Sequence, residues 1–280
     1  MKLSKKVLTM GIMAALSVSI AATAAAADLT IKAKEIKSGE IKIVTPVIKG
    51  SAGGAAMDAK LTLLAAQNTY NVIYNYLPED DRAKAVAPEQ FITYCNEKSE
   101  NPVDAGMSYI KEQTSLVNAG FKTAENLHTA NVKYQLLMDY NVYTASDSLI
   151  SLRQSTYAYT GGAHGINTVD TITANAKTGR VYRLGDMFEA GTNYKPRLDK
   201  LINIQQIGSK RLAEKMGKPS YDFDNIIING NEKFYVDSDL KGWGLHILYN
   251  QGEVGPMAAG VQNYFIPIDT ISDIIDWDIK

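Results

Sequence analysis

Between Val132 and Val142 apolar and polar side chains alternate almost without a break. Val132, Tyr134, Leu136, Met138, Tyr140 and Val142 fall on one side; Lys133, Gln135, Asp139 and Asn141 fall on the other, and Leu137 alone is out of pattern. Successive side chains of a strand point to opposite faces, so this segment fits a strand with one face buried and one wetted. Ser148 to Thr160 and Ile166 to Ala174 continue the sheet, and Asn175 to Gly179 turns the chain into a hairpin with Val181 to Leu184. Connections this short favour antiparallel neighbours over parallel strands joined by crossover helices.

Ahead of that sheet the pattern is mostly helical. Asp28 to Glu40 reads as a polar lead-in, and Ile41 to Ile48 as a β-branched strand that Pro46 places at an edge or bulge. A helix is predicted from about Ala55 to Tyr76. Pro88 opens a second, carrying Phe91, Tyr94 and Cys95, and Pro102 a third. In the third, Val103, Met107, Ile110 and Val117 point inward and Gly120 marks the stop. Beyond the sheet, Thr192 or Asn193 with Pro196 opens a helix to about Met216, with Leu198, Leu201, Ile202 and Leu212 inward. Strands follow near 226–228, 233–236, 245–249 and 263–268, then a short helix near 270–275. Helices segregated from antiparallel strands make the expected class α+β, an antiparallel sheet with helices packed on it. The expected division is 28–165 and 166–280, the second segment packed against the first.

Lys2, Lys5 and Lys6, the uncharged apolar run Val7 to Ile20 and Ala25-Ala26-Ala27 before Asp28 have the three parts of a secretory signal peptide, residues 1–27. The expected location is therefore outside the cytoplasm: periplasm, wall or medium. No later run is long and apolar enough for a transmembrane helix. With the three leader lysines gone, 26 basic side chains face 30 acidic ones, a balance that argues against nucleic acid or anionic membrane surfaces as partners. Cys95 is the single cysteine, so no internal disulfide is available and the core must hold the fold. Its neighbours Phe91, Ile92 and Tyr94 make it a small buried apolar residue.

The least random stretch is Tyr157-Ala-Tyr-Thr-Gly-Gly-Ala-His-Gly165. Its glycines require backbone angles or close approaches that side chains forbid. His164 can act there as an acid or base, oriented by Asp170 or Tyr159, or can brace the loop through its ring nitrogens. Candidate docking residues are Tyr157, Tyr159, Gly161, Gly162 and His164, together with Trp243 between two glycines, Tyr249 and Pro256. No metal is expected, because paired histidines and cysteines at ligand spacing are missing and Asp222–Asp224 and Asp237–Asp239 do not continue as calcium loops. Nucleophile-elbow and phosphate-loop patterns are missing too, so no cofactor is expected.

In order and spacing, several stretches together resemble a pair of exported bacterial domains. They are Ile43-Val44-Thr45-Pro46-Val47-Ile48, Leu136 to Tyr143, Tyr159 to Gly165, Thr178-Gly179, Leu184 to Phe188, and Tyr249 to Gly260 ahead of Phe265-Ile266-Pro267. The pair forms the extracytoplasmic part of RsiV-type anti-sigma factors and the non-catalytic region of PdaC-type peptidoglycan deacetylases. The resemblance implies a non-catalytic envelope module whose partner is a lysozyme-like muramidase or peptidoglycan. Only Met1 to Lys6 precede the apolar run and no catalytic domain follows Lys280, so sigma regulation and deacetylation are not expected to carry over. The competing expectation is a wall-modifying enzyme with His164 as acid or base.

Overall fold

The computed structural model describes residues 29–127, 132–239 and 242–276. The expected signal segment 1–27 and His128 lie outside the described residues. A five-stranded sheet in the order β1-β2-β3-β4-β5 and a three-stranded sheet in the order β6-β7-β8 organise the chain. With five α-helices beside them, the α+β class holds.

The expected lead-in is itself a strand. β1 (Thr30–Ser38) turns through Gly39-Glu40 into β2 (Ile41–Lys49), pairing antiparallel from Thr30↔Lys49 to Ser38↔Ile41. Its lysines obscured the pattern because β1 is an edge strand, where exposed lysines discourage pairing with other chains. β3 (Gln135–Ala145) then runs parallel to β2, but only over Ile41–Ile43. This is the one departure from the antiparallel expectation. The helices between the two strands make it possible, since a parallel return needs a long crossover. Past Ile43 that side of β2 has no partner strand; there the Ile48 N–H donates to Thr62 Oγ1 at 2.9 Å. Pro46, two residues earlier on the same side, has no N–H to leave unpaired.

The crossover carries α1 (Ala55–Tyr76), the short α2 (Glu79–Arg82), α3 (Phe91–Lys98) and α4 (Pro102–Leu127). Together they bury Tyr70, Phe91, Cys95 and Ile110 against Ile41, Ile43 and Leu136. Burial pushes the Cys95 thiol up to about 11, as suits a packing residue. Gly120 does not end α4. It sits within the helix because a Cβ there would come within 2.8 Å of Pro78.

β4 (Leu149–Tyr159) and β5 (Ile166–Asn175) complete the first sheet as an antiparallel hairpin. The sheet therefore runs past the expected boundary at residues 165 and 166, because the glycine loop joins two strands of one hairpin. Beyond it, α5 (Tyr194–Lys215) packs on β6 (Lys233–Asp239), β7 (Gly242–Tyr249) and β8 (Gln262–Pro267). Leu198 and Ile202 meet Ile247 and Ile266 in this second core. Residues 226–228 are extended but join no strand. Asp199 Oδ1 accepts the Ile228 N–H at 2.7 Å, and Asn203 takes the place of a partner strand at Ile226.

The two sheets meet along a seam of hydroxyls. β6 is an edge strand, so Phe234 and Val236 turn N–H and C=O groups away from β7. Thr171 Oγ1 accepts from Phe234 N–H at 3.1 Å, and Thr173 Oγ1 donates to Phe234 O at 3.3 Å. Ser151 Oγ accepts from Val236 N–H at 2.9 Å, and Thr144 Oγ1 donates to Val236 O at 2.8 Å. All four groups are thus satisfied by short side chains of the first sheet. A bulge between Val142 and Thr144 brings Thr144 opposite Ser151. The extra residue, Tyr143, stacks on Tyr235 with ring centroids 3.8 Å apart.

Candidate docking groove

The loop between β4 and β5 is held by the strands that enter it. Gly161 and Gly162 take φ of 89° and 104°, a region that disfavours side chains. Tyr159 donates its hydroxyl to the Gly162 carbonyl at 3.0 Å. Tyr157 lies across Gly165, where any Cβ would overlap its ring. His164 is exposed, with Nδ1 3.0 Å from the Gly165 carbonyl. A carbonyl only accepts, so that contact places a ring hydrogen on Nδ1.

A second loop, leaving β7, faces this one. Asn250 Oδ1 accepts the Val169 N–H at 2.7 Å, and Gln251 Oε1 accepts the Asn167 N–H at 2.8 Å. Through Nε2, Gln251 also donates to the Met257 carbonyl at 2.9 Å. One amide thus ties the free edge of β5 to the turn Met257–Ala259. Between the loops lies an open groove of about 470 Å³, lined by Tyr157, His164, Asn167, Gln251 and Met257 among others. None of the described residues lining it carries a carboxylate or thiol.

The structure sorts the residues singled out in the sequence. Tyr157 and His164 line the groove, while Tyr159, Gly161 and Gly162 shape its loop. Pro256 is exposed beside it and opens the turn Met257–Ala259. Tyr249 is 7% exposed, with its ring 6.1 Å from that of Tyr264, so it belongs to the second core. Trp243 sits at the opposite end of β7, about 20 Å from Tyr249 at 3.3 Å per residue, and is not brought to the loops.

Asp170 and Tyr159 do not orient His164. Asp170 pairs with Gln154, whose amide donates to the Ala65 carbonyl of α1. Its side chain thus shares the helix-covered face, opposite the groove. Burial raises its carboxyl above the usual range, with Lys233 opposing that shift and Glu253 adding to it. Asn167 and Gln251 were not singled out in the sequence, whereas Met257 lies in the loop Gly252 to Gly260, which the sequence marks for recognition along with Thr160 to Gly165. The available signal was the Asn250-Gln251-Gly252 turn at a strand end, which reads as an ordinary turn until β5 is known to lie beside it.

Residues 33–167 match the family described as deacetylase PdaC, and residues 185–269 match a protein family of unknown function, DUF3298. The chain carries this tandem of domains. The pairing is that of a cell-envelope-associated module. A crystal structure of a DUF3298 family member from Bacteroides fragilis superposes with a TM-score of 0.53 at 18% identity, covering 89% of this chain and 94% of that one. A DUF3298 family protein from Pseudomonas aeruginosa gives 0.48 at 13% identity, covering 90% and 95%. At these identities the likeness to the first concerns the fold. Among curated proteins none matches the chain. No helix among the described residues is long and apolar enough to cross a membrane.

Proposed function

We propose that this tandem works outside the cytoplasm as a non-catalytic binding module, with the groove between the two loops as its docking surface and peptidoglycan as its ligand. The observation that carries this reading is the convergence of two loops distant in sequence on one open groove. That groove is lined by an aromatic ring, an imidazole and two side-chain amides. A tyrosine face suits a sugar ring, and amides suit the hydroxyls, acetamido groups and peptide bonds of a wall polymer. Export rests on the signal-like residues 1–27.

A lysozyme-like muramidase is the second reading. It is favoured by the family resemblance and by the mild acidic excess of the chain after Ala27, since opposite charge speeds encounter with a basic partner. Co-sedimentation with purified peptidoglycan, and separately with immobilised lysozyme, tests both. Retention on peptidoglycan that falls with Tyr157→Ala or Gln251→Ala is expected. Retention on neither matrix removes both readings. Turnover of wall fragments that disappears with His164→Ala would replace them with an enzyme.

A further inference from the structure

The helix α5 has three sides, of which two are spoken for. Leu198 and Ile202 face the second core, with Gln206 Nε2 donating to the Tyr264 hydroxyl at 3.0 Å. Asp199 and Asn203 hold the extended segment 226–228. The third side faces outward and is apolar. Ile204 is 56% exposed and Ile207 52%. Ile227 is 73% exposed; its neighbours Ile226 and Ile228 bond to α5, so its side chain projects beside the same face. Three of the eleven large apolar side chains exposed among the described residues gather here. Scattered apolar exposure is ordinary, but concentration on one face marks a contact surface.

Leu212 and Met216 belong to the side of Leu198, as the helical period places them, and are exposed because the second core ends short of the last turns. Against the mild acidic excess of the whole chain, cations run along the side of Ile204 and Ile207. Lys200, Arg211, Lys215 and Lys218 are exposed, and Glu214 is the one exposed acid of the last two turns. Lys210 is paired with Asp222. Lys200, Ile204, Ile207, Arg211 and Lys215 succeed one another at steps of three or four, a single stripe along the axis. We infer that this face of α5 docks the protein on an anionic phospholipid bilayer. The aliphatic side chains enter the headgroup boundary and the lysines and arginine meet lipid phosphates.

Charge and shape select this occupant. The surface is one side of a helix, and its exposed apolar residues are aliphatic and interleaved with cations, a pattern that suits the headgroup boundary. A second copy related by a two-fold axis would set the same cations against one another, with Glu214 and the Lys210-bound Asp222 as the nearby acids. An anionic lipid surface supplies the missing charge along the whole stripe. The inference is independent of the groove, so failure of one leaves the other standing.

Vesicle co-sedimentation tests it with the chain from Asp28 onward, which carries every described element and lacks the apolar leader. Vesicles of equal phosphatidylglycerol and phosphatidylcholine are expected to pellet the protein at 0.1 M salt, and pure phosphatidylcholine vesicles at least about 10-fold less well. The triple variant K200E/R211E/K215E is expected to lower binding to the anionic vesicles by roughly 100-fold, given the attraction of each basic residue to such surfaces. The variant I204S/I207S should lower it by roughly 10-fold through lost apolar burial. Unchanged circular dichroism for both variants keeps the comparison to the surface alone. No pelleting by anionic vesicles, or equal pelleting of the charge-reversal variant, overturns the inference. So does a dimer in sedimentation velocity that I204S/I207S dissolves while vesicles bind neither form.

Discussion

The seam and the groove are two ends of the same contact between the sheets, and they differ in side-chain length. At the seam, Thr144, Ser151, Thr171 and Thr173 reach out by one or two atoms. The β6 backbone comes in until their hydroxyls bond it directly. At the groove, Asn250 and Gln251 bond the β5 backbone with longer arms. The extra reach holds the loops apart and leaves a hollow. Hydroxyls close a contact, whereas amides span one and keep it open to a ligand. Both ends protect a strand edge that would otherwise invite pairing with another chain.

Breaking the closed end is expected to have the largest effect. Ser151→Val removes the acceptor of the buried Val236 N–H and leaves Thr173 without its 2.8 Å hydroxyl partner. A loss of about 2–3 kcal/mol is expected from an unsatisfied buried donor, read from urea denaturation. A loss below about 0.5 kcal/mol, within the range of an ordinary surface substitution, would show that the seam is held by packing alone.

At the open end, Gln251→Ala should cost about 1 kcal/mol, because water can reach the freed Asn167 N–H. Its larger consequence is the loss of peptidoglycan retention, since the turn Met257–Ala259 loses its tether. Equal retention by this variant and the parent would detach the groove from binding.

Asp170 checks which face is which. Burial raises its folded-state pKa, so the protonated form is favoured in the fold and the charge opposes folding at neutral pH. Asp170→Asn should therefore raise the melting temperature at pH 7. The advantage should shrink as pH falls through the raised value, and be gone below the usual carboxylate range. Peptidoglycan binding should be untouched, and a drop would place this side chain on the groove side. The smallest effect is expected of His164→Ala. The ring is exposed and bonds only its neighbouring carbonyl, so stability should change by less than about 0.5 kcal/mol. Unfolding of that variant would make the imidazole a brace of the loop.

Much of this architecture was legible in order along the chain. The alternation through Tyr140 and Val142 marked β3, and the periodic apolar residues after Ala55 marked α1 at the bounds observed. Cys95 read as core from its neighbours alone. Elsewhere local pattern and fold disagreed. β1 was hidden because an edge strand carries solvent-facing lysines on both faces. Tyr249 looked available beside a glycine turn, but strand pairing sends its ring into the second core. Leu212 obeyed the helical period, yet the second core reaches only part of α5.

The chain's own chemistry determined which segments are strands and helices and where glycine must bend the backbone, because those preferences act over a few residues. Partners across space belong to the fold. That Ser151 would cap β6, that Gln251 would reach Asn167, and that one side of α5 would be left facing water were settled only when the sheets met. Hydrogen bonds and burial depend on which surfaces touch, and neighbours in sequence do not specify that.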